Sequence, residues 1–277
     1  MLSSTCQNTI LLCGDLHCGK GYRAECADGL IRACGNLRPD AIVMAGDLTF
    51  RARANQFAMG KEILEKMGKP LLLIPGNHDI PLYDLVTRML NPFRIWKKTY
   101  KALGAVSELD MPAVQILGLH TIKPFVHQKA FLTKTHRKQI TDWMQRCRQT
   151  SSDNQPWRGV VMHQQLFNLK HHYRPGIMFE PKKAVAFLEN AGIDFVLYGH
   201  VHYPIVADAN VYFPFLKRRL TLIGSGTASN KRTRGPNPNN TFQLLTFSLN
   251  EIRVDTYAWN EQTNEFAAND TVTVARA

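Results

Sequence analysis

The stretch Leu71-Leu72-Leu73-Ile74-Pro75-Gly76-Asn77-His78-Asp79-Ile80-Pro81 decides how this chain is read. Four aliphatic residues in a row suit a short strand buried on both faces. Pro75 and Gly76 then supply the dihedrals of a turn. A turn has no need of Asn, His and Asp together. Three hydrogen-bonding side chains at the mouth of a buried segment point instead to a site.

Four other apolar runs end the same way. Residues 9–13 stop at Gly14-Asp15-Leu16-His17, and residues 41–45 at Gly46-Asp47. Residues 159–162 stop at His163, and residues 195–198 at Gly199-His200-Val201-His202. Helical spacing fills the gaps between several of these runs. It places Leu30, Ile31, Cys34 and Leu37 in 24–37, and Phe57, Ile63, Leu64 and Met67 in 54–67 with Gly68 as the stop. It also places Ile140, Trp143, Met144 and Cys147 in 135–148. Pro181 opens a further helix that closes before Gly192. Strands alternating with helices predict an α/β chain with a layered sheet.

Beyond residue 205 strand patterns return at 220–223, 242–247 and 252–259, with a polar loop over 229–240. No repeat, low-complexity tract or linker marks a boundary, so residues 1–277 read as one domain. Residues 80–105 stand apart, rich in aromatic and basic side chains (Tyr83, Arg88, Phe93, Trp96, Lys97, Lys98, Tyr100) around Asn91-Pro92. They read as a helical excursion flanking the site. Either it packs as an amphipathic helix with its lysine stems along apolar surface, or it faces substrate or membrane as a cap.

Composition narrows the classes. The chain has 277 residues, 44% of them hydrophobic, enough for a sizeable core. No apolar run reaches the roughly 20 residues of a membrane span. The opening Met-Leu-Ser-Ser-Thr-Cys-Gln-Asn lacks the basic and apolar regions of a signal peptide, so a cytoplasmic protein is expected. The net charge of +12 favours anionic partners: phosphorylated metabolites, nucleic acid or an acidic membrane face. Six cysteines (Cys6, Cys13, Cys18, Cys26, Cys34, Cys147) contain no Cys-x-x-Cys pair and read as reduced structural thiols.

In open α/β sheets, ligands bind outside the carboxyl ends of the strands. If the five runs share a sheet and a compatible direction, their terminal polar residues converge. Asp15, His17, Asp47, Asn77, His163, His200 and His202 are oxygen and nitrogen donors with no thiolate, a set that suits Mn, Fe or Zn. Seven donors exceed what one catalytic ion with an open position takes. They suit two divalent ions about 3.5–4 Å apart sharing a carboxylate. Singly, each motif could be a turn, a loop or a satisfied core histidine; in this order, each after a strand, they form a constellation.

The ordered set Asp-x-His, Gly-Asp, Gly-Asn-His-Asp, lone His and Gly-His-x-His resembles the calcineurin-like metallophosphoesterase superfamily, over residues 10 to about 205. Residues 49–53 and Gly224-Ser225-Gly226-Thr227-Ala228-Ser229 resemble its bacterial cyclic-nucleotide-phosphodiesterase-like branch. The resemblance implies a four-layer αββα sandwich of two mixed β-sheets flanked by helices, with the late strands extending the second sheet. It implies Asp15, His17 and His202 on one metal, Asn77, His163 and His200 on the other, and Asp47 bridging. His78 would sit over the scissile phosphate and stabilise the transition state or protonate the leaving oxygen. Asp79 would orient His78. The implied reaction is in-line attack on phosphorus by a metal-bridging hydroxide, without a covalent enzyme intermediate.

Candidate substrate contacts are Arg51 and Arg53 after Asp47, His171 and His172 within Lys170-His171-His172-Tyr173-Arg174, and Arg232 and Arg234 beside the Gly-Ser-Gly segment. Lys217-Arg218-Arg219 forms another basic group, and His120 and His127 have no assigned role. The leading expectation is a small phosphodiester or pyrophosphate, with a cyclic nucleotide as one candidate. A second is a lipid-linked pyrophosphate, such as a UDP-linked acylated sugar, met by a peripheral protein at an anionic membrane surface. A nuclease ranks third, because no nucleic-acid-binding module is recognisable. A scaffold that has lost its metals is disfavoured because every expected ligand is present.

Overall fold

The computed structural model describes residues 6–276, except 69, 127–128, 151–154 and 168–177 and the side chain of Thr150. In chain order the elements are β1 (Asn8–Cys13), α1 (Ala24–Leu37), β2 (Ala41–Met44), α2 (Ala54–Met67) and β3 (Leu71–Leu73). A short 3-10 turn (Asn77–Asp79), α3 (Leu85–Leu90), α4 (Arg94–Ala102), β4 (Glu108–Asp110) and β5 (Val114–Gly118) follow. Then come α5 (Lys134–Thr150), β6 (Trp157–Met162), α6 (Pro181–Ala191), β7 (Phe195–Tyr198) and β8 (Ile205–Asp208). The chain ends with β9 (Thr221–Gly224), β10 (Thr241–Phe247), β11 (Glu251–Asn260) and β12 (Glu265–Ala275).

These strands form two six-stranded mixed sheets, ordered β12-β11-β10-β1-β2-β3 and β4-β5-β6-β7-β9-β8. The five apolar runs of the sequence therefore divide between sheets, β1, β2 and β3 in the first and β6 and β7 in the second. Within each sheet they run parallel. The late strands divide as well. β9 joins the second sheet, beside β7 and with β8 on its other side, while β10 pairs antiparallel with β1 and carries β11 and β12 into the first. The expectation that they all extend the second sheet is corrected by that pairing.

The period-2 alternation of each strand sets the layers. Ile10 and Leu12 of β1 enter a core between the sheets with Val43, Leu72, Val161, Leu197, Ile223 and Leu245. Leu11 and Cys13 face the other way, onto Leu30 of α1 and Phe57 and Leu64 of α2. In the second sheet Val160, Met162 and Val196 pack on Ile140 and Trp143 of α5 and Val185 and Leu188 of α6. The result is the α/β/β/α sandwich, with strands buried on both faces as the unbroken apolar runs require.

Helix ends follow the sequence punctuation. α2 ends at Gly68 (φ 63°) and α6 at Gly192 (φ 91°), both in the positive-φ region that favours glycine. The 80–105 excursion splits in two. α4 packs through buried Trp96 and Thr99, whereas α3, capped by Asp84, buries none of its residues. Tyr83, Leu85, Val86, Met89 and Leu90 are all strongly exposed, from 64% to 81%.

Candidate metal centre

The parallel strands β1, β2 and β3 deliver Asp15, His17, Asp47 and Asn77 from one sheet, and β6 and β7 deliver His163, His200 and His202 from the other. All seven side chains are buried. The loops after β1 and β2 run side by side: Asp15 N donates to Gly46 O, His17 N to Asp47 O and Cys18 N to Leu48 O. Of the nine non-glycine residues with positive φ among the described residues, five are Asp15, His17, Asp47, His200 and His202. Each such residue costs about 1–2 kcal/mol, so the surrounding bonds must hold these backbones against their own preference.

Two donor sets emerge. In the first, His202 Nε2 lies 3.0 Å from His17 Nε2 and 3.3 Å from Asp15 Oδ1. In the second, His163 Nε2 lies 3.2 Å from Asn77 Oδ1, 3.2 Å from Asp47 Oδ2 and 3.3 Å from His200 Nδ1. Asp47 Oδ2 is also 3.6 Å from His17 Nε2, which places the carboxylate between the sets. Asp47 Oδ1 accepts from His78 N at 2.8 Å.

Backbone carbonyls fix the tautomers. His163 Nδ1 donates to Ala45 O (2.8 Å) and His202 Nδ1 to Arg232 O (2.6 Å), which leaves each Nε2 lone pair aimed into its donor set. Metal-ligating histidines have this arrangement. Burial pushes the His17 and His200 rings well below the ordinary histidine value, so both stay neutral. Burial opposes ionisation of Asp47, but the surrounding His163, His78 and His17 imidazoles outweigh it and hold its carboxyl well below the usual range.

Asp15 Oδ1 is buried without a hydrogen-bond partner, 3.6 Å from His17 Nε2 and 3.3 Å from His202 Nε2. An orphaned carboxylate oxygen among imidazole nitrogens is what a divalent cation satisfies. The donor chemistry and this unpaired atom fit two ions sharing Asp47.

His78 lies in the same cluster as His17 and Asp47 but is partly exposed. Its Nδ1 donates to Phe50 O at 2.7 Å, so Nε2 is the ring nitrogen that this bond leaves uncommitted. Arg51 Nη1 donates to the same carbonyl at 3.1 Å and lies 3.0 Å from the ring, with its guanidinium 4.2 Å above Phe50. Arg51 is thus brought to the site. Arg53 sits exposed at the N-cap of α2, with no recorded contact to His78 or the donor sets.

The expected role of Asp79 changes. Its carboxylate accepts from Leu48 N, Thr49 N, Thr49 Oγ1 and Gly76 N at 2.8–3.2 Å, and no recorded contact joins it to the His78 ring. It ties the loop after β2 to the turn after β3, and Phe50 O orients His78 instead. The physical reason is direction: the 3-10 turn aims Asp79 back at the neighbouring loop. Burial and the Asp47 charge raise the Asp79 carboxyl to about 7, against the bonds from Gly76 and Thr49.

Arg232 contributes its carbonyl to His202, while its exposed side chain lies close enough for its charge to depress His17. Arg234 N donates to His202 O at 3.2 Å. His171, His172 and the rest of that basic segment, and His127, lie outside the described residues. The Gly-Ser-Gly segment after β9 braces the first ligand loop: Thr227 Oγ1 donates to Asp15 O (2.6 Å) and Ser229 Oγ to Leu16 O (3.2 Å). Sequence reasoning did not assign Thr227 or Ser229 this work, and no local signal marks it. Neither could it find the carbonyls of Ala45, Phe50 and Arg232, since every residue type carries one.

Sandwich and donor sets together define the class of the molecule: an α/β/β/α chain with a candidate binuclear metal centre between the carboxyl ends of its strands. The chain belongs to the calcineurin-like phosphoesterase family, whose model matches residues 9–204. Solved structures with the same fold include a purple acid phosphatase, PPD1, from yellow lupin (Lupinus luteus). It is 12% identical, with TM-score 0.68, covering 99% of this chain and 54% of that one. A dimetal phosphatase from Danio rerio is 11% identical, with TM-score 0.59, covering 98% and 99%. At that identity the likeness is one of fold. The glycerophosphodiester phosphodiesterase GpdQ of Enterobacter lignolyticus (strain SCF1) is 45% identical over 42 residues, which span 15% of each chain. No helix among the described residues is long and apolar enough to cross a membrane.

Proposed function

We propose that this single-domain chain hydrolyses a phosphodiester, with Asp15, His17 and His202 holding one divalent ion, Asn77, His163 and His200 the other, and Asp47 both. The observation that carries the reading is Asp47 Oδ2 set between His17 Nε2 and His163 Nε2, with His78 beside it. When bound, the ions lower the pKa of water and draw charge from phosphoryl oxygens. The chain does the rest. The His78 amide donates to Asp47 Oδ1 and so orients the shared carboxylate. His78 Nε2 faces the leaving oxygen and delivers a proton to it, while Nδ1 stays engaged with Phe50 O. Arg51, partly exposed beside His78, grips a non-bridging phosphate oxygen.

A small diester is the leading substrate class, and the short likeness to a glycerophosphodiester phosphodiesterase supports it. Turnover of bis(4-nitrophenyl) phosphate against the matching monoester tests this reading. A clear monoester preference would overturn it. A second reading, a lipid-linked pyrophosphate at a membrane surface, is favoured by one observation. Directly after the Asn77-His78-Asp79 turn, Tyr83, Leu85, Val86, Met89 and Leu90 present exposed apolar surface beside Arg88. A Leu85→Glu/Leu90→Glu protein that loses activity on detergent-dispersed substrate but keeps aryl diester turnover would support it; equal behaviour on both would remove it.

A further inference from the structure

At the opposite edge of the second sheet, a cavity of about 430 Å³ opens at the amino ends of β6, β7 and β9, where Trp157, Asp194 and Thr221 lie. β6 has six residues, so its two ends, and with them this cavity and His163, are roughly 20 Å apart. Arg148, Arg158, Lys217, Arg218, Arg219 and Arg276 line the cavity, and Asp194 is the one carboxylate in its wall. Its size is that of small-ligand pockets generally.

Part of this charge is compensated. Arg218 Nη2 reaches Asp194 Oδ1 at 3.0 Å, and Arg219 Nε reaches Asp208 at 3.3 Å. Asp194 is further committed through Oδ2, which accepts from Arg158 N at 2.9 Å. Arg276 is different. Its guanidinium lies 4.2 Å from the centre of the Trp157 ring, and its Nε and Nη2 are buried with no hydrogen-bond partner. Burial pushes it below the ordinary arginine value, Asp194 opposes this, and the Arg158 charge adds to it. Arg148 and Arg218 close the same space: a Cβ built on Gly192 would stand 3.6 Å from a terminal nitrogen of each.

Buried unpaired guanidinium donors among like charges are costly unless an anion meets them. Arginine forks match the oxygens of a phosphate, and a guanidinium stacked on an indole is already oriented for that bond. Its aromatic floor and several converging arginines favour a compact dianion over chloride.

We infer that this cavity is a second anion site, remote from the metal centre, which binds a phosphate group through Arg276 with Arg148 and Arg218. The inference does not depend on the reaction performed at the metal centre. The phosphate is either inorganic or the terminal group of a small metabolite.

The side-chain Nε–H resonance of Arg276, identified by its absence in Arg276→Gln, reports on the site in the metal-loaded full chain. Added inorganic phosphate is expected to shift it saturably with a midpoint on the order of 1 mM, while sodium chloride at equal ionic strength leaves it in place. Arg148→Gln is expected to weaken the midpoint by about threefold to tenfold and to leave aryl diester turnover unchanged. Adenosine 5′-monophosphate binding about tenfold tighter than phosphate would identify a phosphorylated metabolite, and equal binding free phosphate. No shift at about 20 mM phosphate, or the same shift with chloride, would overturn the assignment.

Discussion

Gly76→Ala is the sharpest small perturbation this architecture offers. Gly76 has φ −101° and ψ 179°, an extended conformation that alanine adopts freely, so backbone strain plays no part. Space decides instead. A Cβ at Gly76 would lie 2.0 Å from Asp47 Oδ1, 2.3 Å from Asp47 N and 2.6 Å from Asp47 Cγ, where real Cβ contacts stay above 3.0 Å. Asp47 and the turn must therefore separate by about 1 Å, twice the roughly 0.5 Å tolerance of a working site. The His78 N to Asp47 Oδ1 bond goes with it, and Asp47 is the residue common to both donor sets.

Misplacement on this scale costs on the order of 100-fold in rate. The overpacking itself costs about 1–3 kcal/mol of stability. The assay is bis(4-nitrophenyl) phosphate turnover in parallel with metal content and a thermal melt. Loss of about 100-fold in kcat in a folded protein with lowered metal content is expected. Turnover within threefold of wild type, with two metals retained, would refute the reasoning that Asp47 must stand where it does.

Other outcomes follow from the same geometry. His78→Ala should keep both metals and lose about 10²–10⁴ in kcat, whereas His163→Ala should lose metal first; metal analysis beside turnover separates the two. Asp79→Asn replaces a carboxylate that accepts four bonds with an amide that has one acceptor oxygen, so a loss of about 2–4 kcal/mol in denaturant stability is expected, with no direct loss of a metal ligand. Cys13, Cys18, Cys26, Cys34 and Cys147 are buried and their thiols, where shifted, are shifted upward by burial (Cys18 and Cys26 to about 12). Alkylation of the native protein near pH 8 should label only partly buried Cys6, and labelling of all six before unfolding would contradict this core.

How much of this was legible in the sequence depends on what kind of signal carries each feature. Strands buried on both faces write themselves as unbroken apolar runs, so β1, β2, β3, β6 and β7 and the donors at their ends could be read directly. β12 could not. Its residues are mostly exposed, and it is held by its ladder with β11 rather than by apolar burial. β5 is fully buried, yet Gln115 breaks its apolar run, and β4 beside it spans only three residues. The division of strands between sheets depends on long-range pairing such as Ile10 with Leu245, for which no local pattern exists.

Within the site, side-chain identities were visible and directions were not. Asn77, His78 and Asp79 are consecutive, but the 3-10 turn sends them toward a donor set, the partly exposed side beside Phe50 and Arg51, and the loop after β2 respectively. Backbone carbonyls set the tautomers of His78, His163 and His202, and a sequence does not announce where a carbonyl points. The left-handed backbones of Asp15, His17, Asp47, His200 and His202 were equally silent, since nothing in those residue types demands positive φ.

Metal stoichiometry in purified, metal-replete wild-type and Asp47→Asn proteins tests the central claim most directly. Elemental analysis should find two divalent ions per wild-type chain, and fewer than two after Asp47 is weakened as a shared ligand. A wild-type protein with no more than one ion, or an Asp47→Asn protein that keeps both along with full turnover, would contradict a paired centre joined by this carboxylate.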